Sequence, residues 1–118
     1  MAKRKLKPLM PSLREKKRYL AFEVISDGKV HADAVENSVF SAVKDLTGSL
    51  GMARAGLLFL RDKWNEEKQR GLIRVSHKSV DELRASLAFI KDIENKEVIV
   101  RSIGLSGVLR KAALYLTH

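Results

Sequence analysis

Arg14, Lys16, Lys17 and Arg18 fall within five positions of one another, immediately ahead of the run Tyr19-Leu20-Ala21-Phe22-Glu23-Val24-Ile25. Cations held that close together repel, and their common use is to neutralise a phosphate-bearing partner. Lys3, Arg4, Lys5 and Lys7 extend the same stretch: residues 1–18 carry eight basic side chains against Glu15 alone, so +7 of the formal net charge of +9 sits there. The other hundred residues are nearly neutral, with 15 basic and 13 acidic side chains. A near-neutral body behind a cationic leader suits RNA or DNA; a solubilising tail is the plainer alternative. A second group follows near the other end, where Gly104-Leu105-Ser106-Gly107 precedes Arg110 and Lys111. Two glycines permit close approach, a helix starting there offers free N–H groups, and Ser106, Arg110 and Lys111 add donors. An ordinary Ser-Gly helix start with two solvated cations fits the same letters.

The chain's own catalytic chemistry is thin. His31, His77 and His118 lack the spacing and acidic companions of a zinc site. No glycine-rich nucleotide loop or nucleophile elbow is present. Asp27 is the one carboxylate to weigh, because some ferredoxin-like nucleases hold a metal with an aspartate at the end of the first strand. An aspartate before Gly28 is more commonly a turn residue. The expectation is therefore no catalytic residue, no protein metal site and no protein-bound cofactor.

A chain of 118 residues, 45% hydrophobic, is sufficient for one core. With no cysteine, disulfides and thiolate metal sites are excluded. Apolar runs are far short of the roughly 20 residues of a membrane span, and the basic N-terminus lacks a signal peptide's apolar stretch, so the expected location is cytoplasmic, away from membranes.

The elements that must position these groups follow from periodicity. Residues 1–11, with Pro8 and Pro11, read as a flexible basic leader, and 12–118 as a single RNA-binding domain. Leu20, Phe22 and Val24 alternate, predicting a strand over Arg18 to Ile25 that ends at Ser26-Asp27-Gly28. Val35, Val39, Val43, Leu46 and Leu50 share one helical face, with Gly48 and Gly51 expected to fray or stop the helix. Ala55 to Leu60 reads as a strand buried on both faces or at an interface. A polar loop, Asp62 to Arg70, then leads to a strand over Gly71 to Ser76. Ser79 and Glu82 have capping-box spacing ahead of a helix presenting Val80, Leu83, Leu87 and Ile90. Asp92 to Lys96 is turn-like, Val98 to Ile103 a strand, and Leu105, Val108, Leu109, Ala112 and Leu116 stripe a last helix. The order β-α-β-β-α-β-α predicts an α+β, ferredoxin-like (RRM-like) antiparallel sheet, both main helices on one face and the C-terminal helix covering part of the other.

On such a sheet RNA is held by stacking or through its backbone. Arg70-Gly71 begins like an RRM signature, but Leu72-Ile73-Arg74-Val75 lacks its aromatics. Tyr19, Phe22, Phe40, Phe59 and Phe89 are expected to pack in the core or at its edge. Trp64, in a polar loop, is a candidate for stacking on a base, filling a partner's pocket or folding back. Backbone recognition is better supported.

Pro11 to Ser26, Gly71-Leu72-Ile73-Arg74 and Ser102 to Lys111 together resemble the archaeal ribonuclease P protein component 2 family, counterparts of the eukaryotic Pop-five subunit. The first motif is long and specific, the others short but in the right order. Members often carry cysteine after that arginine; Val75 here is a conservative core change. The resemblance implies a subunit of the ribonucleoprotein that removes the 5′ leader of precursor tRNA. It further implies catalysis by the RNA with Mg²⁺ ions, and protein component 3 as partner, two copies of each per assembly. It maps RNA contact onto Ser12 to Arg18 and onto Ser106 and Gly107. The expected RNA-binding residues are thus Lys3, Arg4, Lys5, Lys7, Arg14, Lys16, Lys17, Arg18, Ser106, Gly107, Arg110 and Lys111. A ferredoxin-like nuclease using Asp27, or a general RNA-binding accessory protein, are the alternatives.

Overall fold

Strict alternation from Leu20 to Val24 builds the central strand, β1 (Lys17–Ser26), of a computed structural model that describes residues 16–118. Leu20, Phe22 and Val24 are buried beneath two helices, while Ala21 is buried on the opposite face. The expected boundary between residues 1–11 and 12–118 lies outside the described residues, as do Lys3, Arg4, Lys5, Lys7 and Arg14.

The remaining elements are α1 (Ala32–Ala55), β2 (Leu58–Phe59), β3 (Arg70–Ser76), α2 (Val80–Ala88), β4 (Asp92–Ile93), β5 (Lys96–Ser106) and α3 (Leu109–Ala113). The five strands are ordered β2-β3-β1-β5-β4, and every neighbouring pair is antiparallel. This is the expected ferredoxin-like α+β sheet, widened by one short strand. Asp92 to Lys96, read as a turn, is a hairpin: Glu94 and Asn95 take φ of 54° and 65°, the left-handed pair that closes a two-residue loop.

Both main helices cover one face, where Val35, Val39, Val43, Leu83 and Leu87 meet the inward side chains of β1, β3 and β5. On the other face Ala112 and Leu116 seal Ala21 and Leu72. The C-terminal segment therefore covers part of that face, as its apolar positions predict, although α3 is only five residues long and a 3-10 turn, Leu114–Leu116, completes it.

Four local expectations fail for physical reasons. Helix α1 breaks at Gly48, as expected, with φ 77°, ψ 177°, a conformation that strains any residue with a Cβ, but it resumes beyond and runs through Gly51 to Ala55. The apolar stripe does not stay buried to its end: Leu46, ahead of the break, and Leu50, after it, are 45% and 75% exposed. Ala55 to Leu60 is not one buried strand, because Ala55 ends α1, Gly56 is its left-handed cap, and Leu58 is exposed. The capping box does not form. A 3-10 turn, His77–Ser79, precedes α2, Ser76 supplies the side-chain acceptor for Lys78 N, and Ser79 makes no cap bond. Phe89 ends α2 with 65% exposure instead of packing.

Candidate nucleic-acid interface

The basic groups separated by about ninety residues in sequence are brought together by strand pairing. Tyr19 lies opposite Ser106 and Ala21 opposite Gly104, so the start of β1 runs beside the end of β5. A Cβ on Gly107 would lie 3.5 Å from Arg18 Nη1, which places that guanidinium directly against the Gly107 backbone. Arg18 is half-buried and donates from Nη1 to Lys17 O at 3.1 Å. Lys16, exposed, is fixed by its backbone: its carbonyl accepts from His77 N at 2.8 Å. Arg110 and Lys111 are exposed on α3, whose Ala112 is docked on the sheet. Among the described residues, Lys16, Lys17, Arg18, Ser106, Gly107, Arg110 and Lys111 therefore surround one end of the sheet.

Two details correct the expected chemistry. Gly104, Leu105 and Ser106 belong to β5, so no helix begins there. Ser106 Oγ accepts from Val108 N at 3.0 Å and orders the turn around Gly107; the five-residue α3 supplies no substantial dipole. What remains at this end is a set of side-chain cations and one exposed glycine backbone. Lys17 is also partly committed, since its Nζ lies 3.1 Å from the Cβ position of Gly56, at the carboxyl end of α1 where a cation is favoured.

The other candidates are dispersed. Asp27 is exposed at its turn, and among the described residues no group of three or more His, Asp or Glu side chains converges as a metal site would require. His31 does meet a carboxylate: its Nδ1 lies 2.7 Å from Glu94 Oε2, and that hydrogen bond holds the Glu94 carboxyl below its usual range. This pairing ties the start of α1 to the β4–β5 turn. Trp64 is folded back against Phe22 and Phe59, ring centroids 6.1 and 6.4 Å away, and a Cβ on Gly71 would lie 2.9 Å from Trp64 Cε3. Its indole Nε1 is buried without a hydrogen-bond partner among the described residues. Trp64 is a wedge closing the core, not a stacking platform. As the chain's only tryptophan it gives a direct check: its fluorescence should be blue-shifted and unchanged as RNA is titrated in.

Pattern reasoning missed Arg74. It was legible as part of Gly71-Leu72-Ile73-Arg74, but nothing in the letters shows that β3 places it opposite Tyr19 on one side and Leu58 on the other.

The architecture defines a ferredoxin-like α+β domain with a cationic end where β1, β5 and α3 meet. Its family is shown by comparison: residues 18–117 match the model of the Rpp14/Pop5 family, and the chain belongs to that family. It is 39% identical over 107 residues to ribonuclease P protein component 2 of Thermococcus kodakarensis, spanning 91% of this chain and 88% of that one. The protein of the same name from Methanosarcina barkeri is 39% identical over 108 residues, spanning 91% and 76%. A chain in the cryo-EM structure of yeast ribonuclease MRP shares the fold, with a TM-score of 0.62 at 16% identity over 87% of each chain. Among the described residues, no helix is long and apolar enough to cross a membrane.

Proposed function

We propose that this chain is a protein subunit of ribonuclease P that binds the catalytic RNA and assists 5′ maturation of precursor tRNA without supplying reacting groups. The observation that carries this is the gathering of Arg18, the Gly107 backbone, Lys16, Arg110 and Lys111 at one end of a domain of this family. Cations fixed on a sheet neutralise phosphates where RNA strands and their Mg²⁺ ions must crowd together, and each contact releases counterions. Lys3, Arg4, Lys5, Lys7 and Arg14, which precede β1 in sequence, add to the positive charge available to the RNA. The Mg²⁺ ions belong to the RNA, and the whole works in the cytoplasm. Component 3 is the protein partner, in an assembly with two copies of each; Leu46, Leu50 and Phe89, exposed apolar side chains on the helices and their ends, offer it surface.

The test replaces Lys16, Arg18, Arg110 and Lys111 by glutamine together, leaving Lys17 at its place beside Gly56. Binding to ribonuclease P RNA at 0.15 M salt should weaken at least about tenfold, and the slope of log affinity against log salt should flatten by roughly three. Reconstituted particles should then need more Mg²⁺ to cleave precursor tRNA. Unchanged affinity and slope in the fourfold variant would rule this end out as the RNA surface.

A further inference from the structure

Of the motif Gly71-Leu72-Ile73-Arg74, three members have evident structural tasks. Gly71 admits the Trp64 and Phe22 rings, Ile73 is buried beneath the helices, and Leu72 is buried beneath the C-terminal segment. Arg74 has none of these. It lies on the outer face of β3, in register with Leu58 of β2 and Tyr19 of β1, and Tyr19 is in register with Ser106 of β5. The adjoining row, Leu72, Ala21 and Gly104, is the one the C-terminal segment covers. Leu58, Arg74, Tyr19 and Ser106 thus form a strip across four strands at the border of that cover, against which the half-buried Tyr19 packs, at the end of the sheet where Arg18 and Gly107 meet.

Arg74 is half-buried, and its Nε is sealed from solvent with no hydrogen-bond partner among the described residues. The other arginines of this face are satisfied: Arg70 and Arg101 both bond Glu23, at 3.1 and 2.9 Å. Arg74 enters no ion pair among the described residues, whereas Arg61 and Arg84 each find a carboxylate. A buried N–H left without an acceptor costs free energy, and among the described residues no internal partner fixes this guanidinium; with Nε itself sealed, the terminal nitrogens of the half-buried side chain are the groups left to meet an external acceptor. For a guanidinium at a cationic end the fitting acceptor is a phosphate, whose oxygens match its planar fork.

We propose that Arg74 is an RNA-phosphate anchor, and that the strip Arg74, Tyr19 and Ser106 receives a single nucleotide on the sheet: phosphate against Arg74, base or sugar against the Tyr19 ring. This rests on the reading that RNA is the partner, and adds to it a specific contact on the sheet surface, distinct from the surrounding cations.

Arg74→Met separates binding from folding. It removes the unsatisfied N–H and keeps an apolar stem, so the variant should melt at or above the wild-type temperature. It should nevertheless bind ribonuclease P RNA about tenfold more weakly, with the salt slope flattened by roughly one. Arg74→Lys should restore the slope but not the affinity, because a point charge does not reproduce the fork. Wild-type affinity and slope in Arg74→Met would overturn the proposal, as would a fall in melting temperature large enough to account for the weaker binding. Should Arg74→Met fail to fold, the split between slope and affinity in Arg74→Lys decides. A Lys16→Gln, Arg18→Gln variant measured in parallel keeps the two readings apart. If it weakens binding and Arg74→Met does not, only the anchor falls; if the wild-type chain shows no salt-dependent binding, both fall.

Discussion

Gly104→Val should destabilise the domain by about 3 kcal/mol, lowering the melting temperature by roughly 12 °C or more. Gly104 faces outward on β5 opposite Ala21, and a Cβ there would lie 2.4 Å from the Tyr115 ring. The ring cannot simply swing aside. Arg70 Nη1 donates to Tyr115 O at 3.1 Å and Asn65 Nδ2 to Leu116 O at 2.9 Å, so the backbone that carries the ring is held in place. Either that segment lifts, exposing Ala21, Leu72, Ala112 and Leu116, or the β1–β5 ladder opens. Denaturant unfolding measures the loss, and Tyr115→Ala provides the control. Tyr115 is 39% exposed, so its own truncation should be mild, while the double variant should recover at least about 1.5 kcal/mol. Additive losses in the cycle would show that the ring does not sit over Gly104 in solution.

Glu23→Ala should cost about 2 kcal/mol at neutral pH. The Glu23 side chain is 14% exposed and holds Arg70, 18% exposed, and Arg101, 61% exposed. Breaking a buried pair costs roughly 3–5 kcal/mol when the surviving charge has no other partner. Arg70 retains the Tyr115 and His118 carbonyls and Arg101 retains water, which brings the figure down. Burial pushes the Glu23 carboxyl up, but hydrogen bonds from Arg101 and Arg70 and the charge of both outweigh it, and its pKa lies below the ordinary 4.5. A folded-state pKa below the unfolded one favours folding wherever the carboxylate is ionised in both states. The contribution is therefore complete above about pH 5 and disappears as pH falls from there through the depressed value. The stability difference between wild type and Glu23→Ala should be full at pH 7 and shrink as pH falls below about 4.5 through the depressed value. A constant difference across that range would mean that Glu23 acts through its packing alone.

The strand and helix order was legible because alternation at Leu20, Phe22 and Val24, and helical spacing at Val35, Val39 and Val43, reflect burial on one face, which a pattern of side chains records directly. The C-terminal cover was legible for the same reason at Ala112 and Leu116. Where local chemistry competes with packing, the letters were ambiguous. Ser79 and Glu82 have capping spacing, but the chain approaches α2 through a 3-10 turn that hands the acceptor role to Ser76. Gly104 looked like a helix opener because two glycines flank Leu105 and Ser106. Its real task is to leave room for a ring eleven residues later, a contact periodicity does not encode. The basic end shows the same division. Its cations could be read from composition, but their meeting depends on the pairing of Tyr19 with Ser106, and the commitment of Lys17 to the end of α1 depends on where that helix stops.

The interruption at Gly48 bears on how the molecule comes apart. Ahead of it, α1 is a long amphipathic helix clamped by three buried valines; after it comes a length of about two turns, too short to persist on its own. Such a length opens as a separate cooperative unit at lower free energy than the whole domain, so its amide protons exchange with solvent sooner than those around Val39. Because Gly56 at its far end is where Lys17 rests, local fraying of this helix and the placement of a cation at the basic end of the sheet are two readouts of the same opening.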